Sequence, residues 1–172
     1  MKGAHTVYTA QPRSAGSWHF EIREADDAGE IVAEVEIGGM WDEGEIRVGG
    51  VPFELDRVGM STSYRMLFER QPLARAESQG SFSNTNTVTV EGAILSPGVE
   101  LGDRVTFHLT PQRSFTSAVD FSLGETKWGE ITKESMLFRH FALRFNPAVP
   151  LALQVFCFAL LMARFRRRAR NS

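Results

Sequence analysis

Five arginines fall within seven residues near the end of the chain: Arg164, Arg166, Arg167, Arg168 and Arg170. A guanidinium stays charged and presents a planar fork of donors that matches carboxylate and phosphate oxygens. Such a cluster has two readings. It can touch an anionic lipid surface, where each basic side chain contributes about 1 kcal/mol. It can equally finish a helix, because cations are favoured beside the carbonyl-rich C-terminus. The second reading is the stronger on sequence alone. The partners expected from the first are an anionic membrane surface or an unidentified protein.

Other chemistry is thinly supported. His5, His19, His108 and His140 fall on four different predicted strands, and no His-x-His or His-x3-His spacing brings two of them together for a metal. The single cysteine, Cys157, sits in Phe-Cys-Phe without a neighbouring base or cation, so it reads as a buried structural thiol. Asp42, Glu43 and Glu45 cluster around Gly44 in WDEGE. That segment is too short for a calcium loop and reads as a solvated acidic turn. No G-x-S-x-G, Walker A or G-x-G-x-x-G motif occurs. No catalytic group, metal or cofactor is expected, and the chain reads as a non-enzyme.

The elements that hold these residues follow from composition and period. The chain has 172 residues, 42% hydrophobic and 23% charged, which suits one globular domain over 1–172. Its net charge of −2 is unevenly spread. Setting the five tail arginines aside leaves 14 basic against 21 acidic side chains in residues 1–163. A broad nucleic-acid face is therefore not expected, since phosphate binding needs clustered Lys and Arg. One cysteine excludes an intrachain disulfide and fits a reducing, cytoplasmic setting. The N-terminal residues lack the apolar run of a secretory signal.

Alternation of period two runs through residues 5–145. Trp18, Phe20 and Ile22 oppose His19, Glu21 and Arg23. Ile31, Ala33, Val35 and Ile37 oppose Glu34 and Glu36. Val51, Phe53 and Leu55 oppose Glu54 and Asp56. Tyr64, Met66 and Phe68 oppose Arg65 and Glu69. Val88 with Val90, and Val105 with Phe107 and Leu109, continue the pattern. This is a sheet with one wet face. Turn chemistry at Asp27-Ala28-Gly29, Gly38-Gly39, Gly49-Gly50, Ser96-Pro97-Gly98 and Leu123-Gly124 separates the runs. The small, polar stretch 78–87 is the most loop-like. About twelve strands result, centred near Val7, Phe20, Val35, Ile46, Phe53, Met66, Ala76, Val90, Phe107, Val119, Gly129 and Phe141.

The tail changes period. Asn146 suits a helix cap and Pro147 the first helical position, with Pro150 still inside the first turn. The expected helix runs over about 147–166, followed by a basic tail at 164–172. Leu151, Leu153, Val155, Phe156, Phe158, Leu160 and Leu161 make it apolar on every side, and Gln154 is the sole polar residue before Arg164. Such a helix lies in a protein core or a membrane. The uncharged stretch Val149–Ala163 has 15 residues. A span needs roughly 20. About twelve strands with one apolar face also have no other helix to cover them. A barrel of that strand number is wide enough to need filling. The fold expected is mainly β, a closed barrel of about twelve strands around a central hydrophobic helix, its arginines emerging into water at the far mouth. A C-terminally anchored membrane protein with a cytoplasmic β domain is the alternative.

Three segments carry a family resemblance: FELDRVGMSTSYRMLFERQPLARAES (53–78), VDFSLGETKWGEITKES (119–135) and NPAVPLALQVFCFALLMARF (146–165). With the order of about twelve strands and one terminal apolar helix, the chain resembles the tubby-like C-terminal superfamily. It is most similar to the small LURP-one-related and phospholipid scramblase-like members. The resemblance covers roughly 4–168. It implies a barrel closed around the helix and a non-enzymatic role, often at membranes or with phosphoinositides. The scramblases' calcium-associated acidic segment and cysteine cluster have no counterpart beside this helix, where residues are apolar or arginine.

Overall fold

A computed structural model describes residues 5–26, 29–78, 85–91, 104–112, 118–135 and 137–172. Among these residues twelve strands precede one helix. They are β1 (Thr6–Pro12), β2 (His19–Glu24), β3 (Ile31–Gly38), β4 (Glu43–Val48), β5 (Val51–Arg57) and β6 (Tyr64–Phe68). They continue with β7 (Gln71–Ser78), β8 (Asn86–Glu91), β9 (Arg104–Pro111), β10 (Val119–Leu123), β11 (Thr126–Lys133) and β12 (Phe141–Phe145). Helix α1 is Leu151–Arg170. Each expected strand centre falls within one of these strands. The turns at Asp27-Ala28 and Ser96-Pro97-Gly98, and residues 79–84 of the polar stretch, lie outside the described residues.

Every strand pairs antiparallel with its chain neighbours, and β1 closes the ring on β12, with Thr6 opposite Phe145 and Ala10 opposite Phe141. The period-two pattern decides the two faces. Phe20, Ile22, Val35, Ile46, Met66, Val88, Phe107, Phe121 and Ile131 point inward and are fully or almost fully buried. The outer face carries ion pairs between neighbouring strands, such as Arg65 with Asp56 and Lys127 with Asp120. Two inward assignments fail at strand starts, where Ile31 is 40% and Val51 42% exposed. Both open their strands at the rim away from the helix C-terminus. Next to Ile31, a bulge between Ile22 and Arg23 also shifts the register.

The helix fills the barrel. All eleven residues from Leu153 to Ala163 are buried, on every side of the helix. All but Gln154 share one apolar cluster with the inward residues of the strands. Phe158 meets Phe20 and Phe141 edge-on, with ring centroids 5.3 and 5.5 Å apart. Burying one such side chain contributes about 1.5–3 kcal/mol, so this stretch is a large share of the core. Among the described residues no helix is long and apolar enough to cross a membrane.

The helix bounds differ from expectation by about one turn at each end. Pro150 is the N-cap, at φ −57° and ψ 144°, and makes no side-chain cap bond. Proline disfavours the helical region for the residue before it, here Val149, so the helix cannot start at Pro147. Asn146 instead closes a local turn, its Oδ1 accepting from the Ala148 N–H at 2.9 Å. Gln154, buried near the N-terminal end, donates to the Val149 carbonyl at 2.9 Å. At the other end the helix continues to Arg170, because arginine is a good helix former and the last turn has a counter-charge.

Close approach constrains Gly129, against the Phe145 ring, and more severely Gly44. A Cβ on Gly44 would sit 1.8 Å from the Glu36 carbonyl oxygen of the neighbouring strand. The β3–β4 hairpin therefore closes only with glycine there, and this hairpin carries the residue that meets the arginines.

Candidate functional site

The topology places the arginines. In a simple antiparallel ring, the β1–β2, β3–β4, β5–β6 and β11–β12 connections lie at one mouth. Helix α1 starts beneath the end of β12, at the opposite mouth, and so delivers its C-terminus to the first. There three of the five arginines, Arg166, Arg167 and Arg170, meet Asp42 in the β3–β4 turn.

Asp42 has no exposed side-chain surface. Its carboxylate accepts from Arg166 Nη1 at 2.6 Å and Arg170 Nη2 at 2.8 Å, and Arg167 Nε lies 3.6 Å away. The same guanidiniums tie down the turn: Arg166 donates to the Gly39 carbonyl at 2.9 Å and Arg170 to the Met40 carbonyl at 2.8 Å. Arg167 Nη2 donates to the Tyr64 hydroxyl at 2.6 Å. Burial raises the Tyr64 phenol pKa, an effect the adjacent Arg167 partly offsets. Three guanidiniums on one carboxylate leave an excess of two positive charges. Burial lowers the Arg164 pKa, and the charges of Arg168 and Arg167 lower it further.

These contacts correct two sequence expectations. WDEGE is not a uniformly solvated acidic turn: Glu43 and Glu45 are exposed, but Asp42 is enclosed. The turn bends through a left-handed Asp42 (φ 59°), which aims its carboxylate at the helix end. Nor do the arginines simply emerge into water. The side chains of Arg166 and Arg167 are 17% and 25% exposed. Arg168 and Arg170 are the more open of the five. Asp42 was legible only as one of three clustered acids, since its partners lie more than 120 residues away.

The expected core residues Leu153, Val155, Phe156, Phe158, Leu160 and Leu161 are buried inside the barrel, while Leu151 at the entrance is half-buried. Cys157 is fully buried, and burial raises its thiol pKa strongly. His19 and His108 lie on strands, whereas His5 and His140 lie just before β1 and β12. His19 bonds Glu34 at 3.0 Å on the outer face. Among the described residues no group of His, Cys, Asp and Glu is placed to hold a metal.

The same mouth carries most of the exposed large apolar side chains. Met40 and Trp41 project from the β3–β4 turn, 72% and 42% exposed; Met60 from the β5–β6 turn, 84%; Leu137 and Phe138 from the β11–β12 turn, 88% and 61%. Arg57 lies over the Trp41 ring at 5.6 Å and donates to the carbonyls of Met60 and Ser61. The mouth thus joins guanidiniums to apolar hairpin tips. No protein-family model matches the chain, and no curated protein matches it in sequence.

Proposed function

We propose that this barrel is a non-catalytic binding module that docks its arginine-bearing mouth on an anionic membrane surface. The observation that carries the reading is the pairing of exposed apolar tips with excess positive charge at one end of an otherwise acidic body. Apolar and tryptophan side chains partition into the headgroup region, and guanidiniums pair with lipid phosphates. An exposed apolar tip has no benefit in water, whereas beside cations it suits an interface. The likeness to tubby-like and scramblase-like proteins, which often work at membranes, points the same way.

The test is co-sedimentation of the full chain with phosphatidylcholine vesicles, with and without phosphatidylserine, across a salt series. Binding is expected only with the anionic lipid and should weaken as salt rises. Met60→Asp and Leu137→Asp alter exposed side chains, so they should leave the melt unchanged and reduce binding. Equal binding to neutral vesicles, or binding indifferent to salt and to both substitutions, overturns the proposal.

A further inference from the structure

A cleft of about 530 Å³ opens at this mouth between the β1–β2 turn, the β11–β12 turn and the last turns of α1. Trp18, Phe141 and Phe165 form its apolar walls, and Lys133, Arg139 and Arg168 its charged ones. Among the described residues no acidic side chain lines it. Its volume is that of a small-molecule site, which typically spans about 300–1,000 Å³.

Two of the cations are held without a counter-charge. Among the described residues, neither Lys133 nor Arg139 has a carboxylate within ion-pair distance. Arg139 is fixed in place: its guanidinium stacks over Trp18 at 4.5 Å and lies 5.4 Å from the Phe20 ring. Its Nη2 donates to the Ser17 carbonyl at 2.6 Å. Its Nη1 is buried with no hydrogen-bond partner. On the outer wall several arginines are matched, as Arg65 is by Asp56 and Arg23 by Glu21. A buried donor without an acceptor is costly, and a charged one more so. Burial also lowers the Arg139 pKa, with no carboxylate to offset it. An anionic oxygen in the cleft would supply the missing counter-charge to the guanidinium.

We infer that this cleft binds a phosphate monoester carried on an apolar body, the phosphate facing Lys133 and Arg139 and the apolar part lying along Trp18, Phe141 and Phe165. A dianion suits several converging cations, and the aromatic walls suit a hydrocarbon or a ring. The inference rests on this mouth being the binding end, and it names a discrete site there. The phosphate comes from a lipid headgroup or from a soluble phosphate ester.

The experiment titrates the full chain calorimetrically with three probes: inorganic phosphate, phenyl phosphate, and dihexanoyl phosphatidic acid below its micelle concentration. Both amphiphilic probes should bind, each more tightly than inorganic phosphate. Lys133→Gln should weaken them by about tenfold or more, as expected for loss of one charge-assisted contact. Lys133 makes no ion pair or side-chain hydrogen bond among the described residues, so this variant should melt like the parent. Arg139→Lys keeps the charge but loses the planar stack, and should weaken binding while retaining part of it. Preference for the lipid probe assigns the site to a headgroup; equal affinity for phenyl phosphate assigns it to soluble esters. Absence of binding by both amphiphiles overturns the inference, as does unchanged affinity in Lys133→Gln. Inorganic phosphate binding as tightly as the amphiphiles removes the apolar walls from the site and overturns it too. Vesicle binding that survives while both soluble probes fail would sink the cleft alone and leave membrane docking standing.

Discussion

Replacing Asp42 by asparagine tests the joint between helix and barrel most directly. The substitution keeps shape and tolerates the left-handed backbone at φ 59°. It removes the charge that Arg166, Arg167 and Arg170 share and turns one of the two accepting oxygens into an N–H donor. Taking one partner from a buried ion pair costs about 3–5 kcal/mol. Here the three guanidiniums retain 17%, 25% and 38% exposure, so they can turn partly into water. That reduces the expected loss to about 2–3 kcal/mol. For a chain of this length the melting temperature should fall by about 5–10 °C. Asp42→Ala should lose about 1–2 kcal/mol more, because alanine resists the left-handed region. Circular dichroism melts and urea titrations at neutral pH measure both. The urea slope should stay constant, marking a change in stability and not in the unfolded chain. If the asparagine variant melts within about 1 °C of the parent, Asp42 does not anchor the helix.

Two further outcomes follow from the filled barrel. Deleting residues 147–172 should abolish the cooperative melt and leave a dye-binding, loosely packed chain; a truncation that melts as sharply as the full chain would refute the helix as core. Cys157 should resist thiol reagents at pH 8 in the native state, because burial raises its pKa and blocks access, and should react fully in denaturing guanidinium. Rapid native modification would show that the helix leaves the barrel.

The barrel was legible in the sequence because its signal is local. An alternation such as Phe20-Glu21-Ile22-Arg23 states its own faces, and the apolar run Leu153–Ala163 states that nothing around it is water. Strand ends were less legible. Val51 keeps the alternation but lies at the rim, where the pattern says nothing of depth. The helix start moved from Pro147 to Leu151 because the second proline, at Pro150, overrides the first. The arginine cluster was visible as a charge run, but its counter-ion was not. Asp42 is one acid among three in WDEGE, and only the closure of the β3–β4 hairpin over the helix end singles it out. The cleft was least legible. Trp18, Lys133, Arg139 and Arg168 come from three parts of the chain, and no spacing encodes that they line one cleft.

The single seam between β1 and β12 has a consequence for how the molecule assembles. Every other pairing joins strands consecutive in the chain, so those hairpins can zip in series with little loop-closure entropy. The seam joins Thr6 to Phe145 and must wait for the rest. A finished ring could not admit the helix, since five guanidiniums would have to cross the apolar bore to reach the far mouth. The sheet must therefore curl around the helix while the seam is open, with Asp42 engaging the arginines before or as the last edge closes. Ring closure is then the late event in folding, and the order is imposed by the charges that the lumen cannot pass.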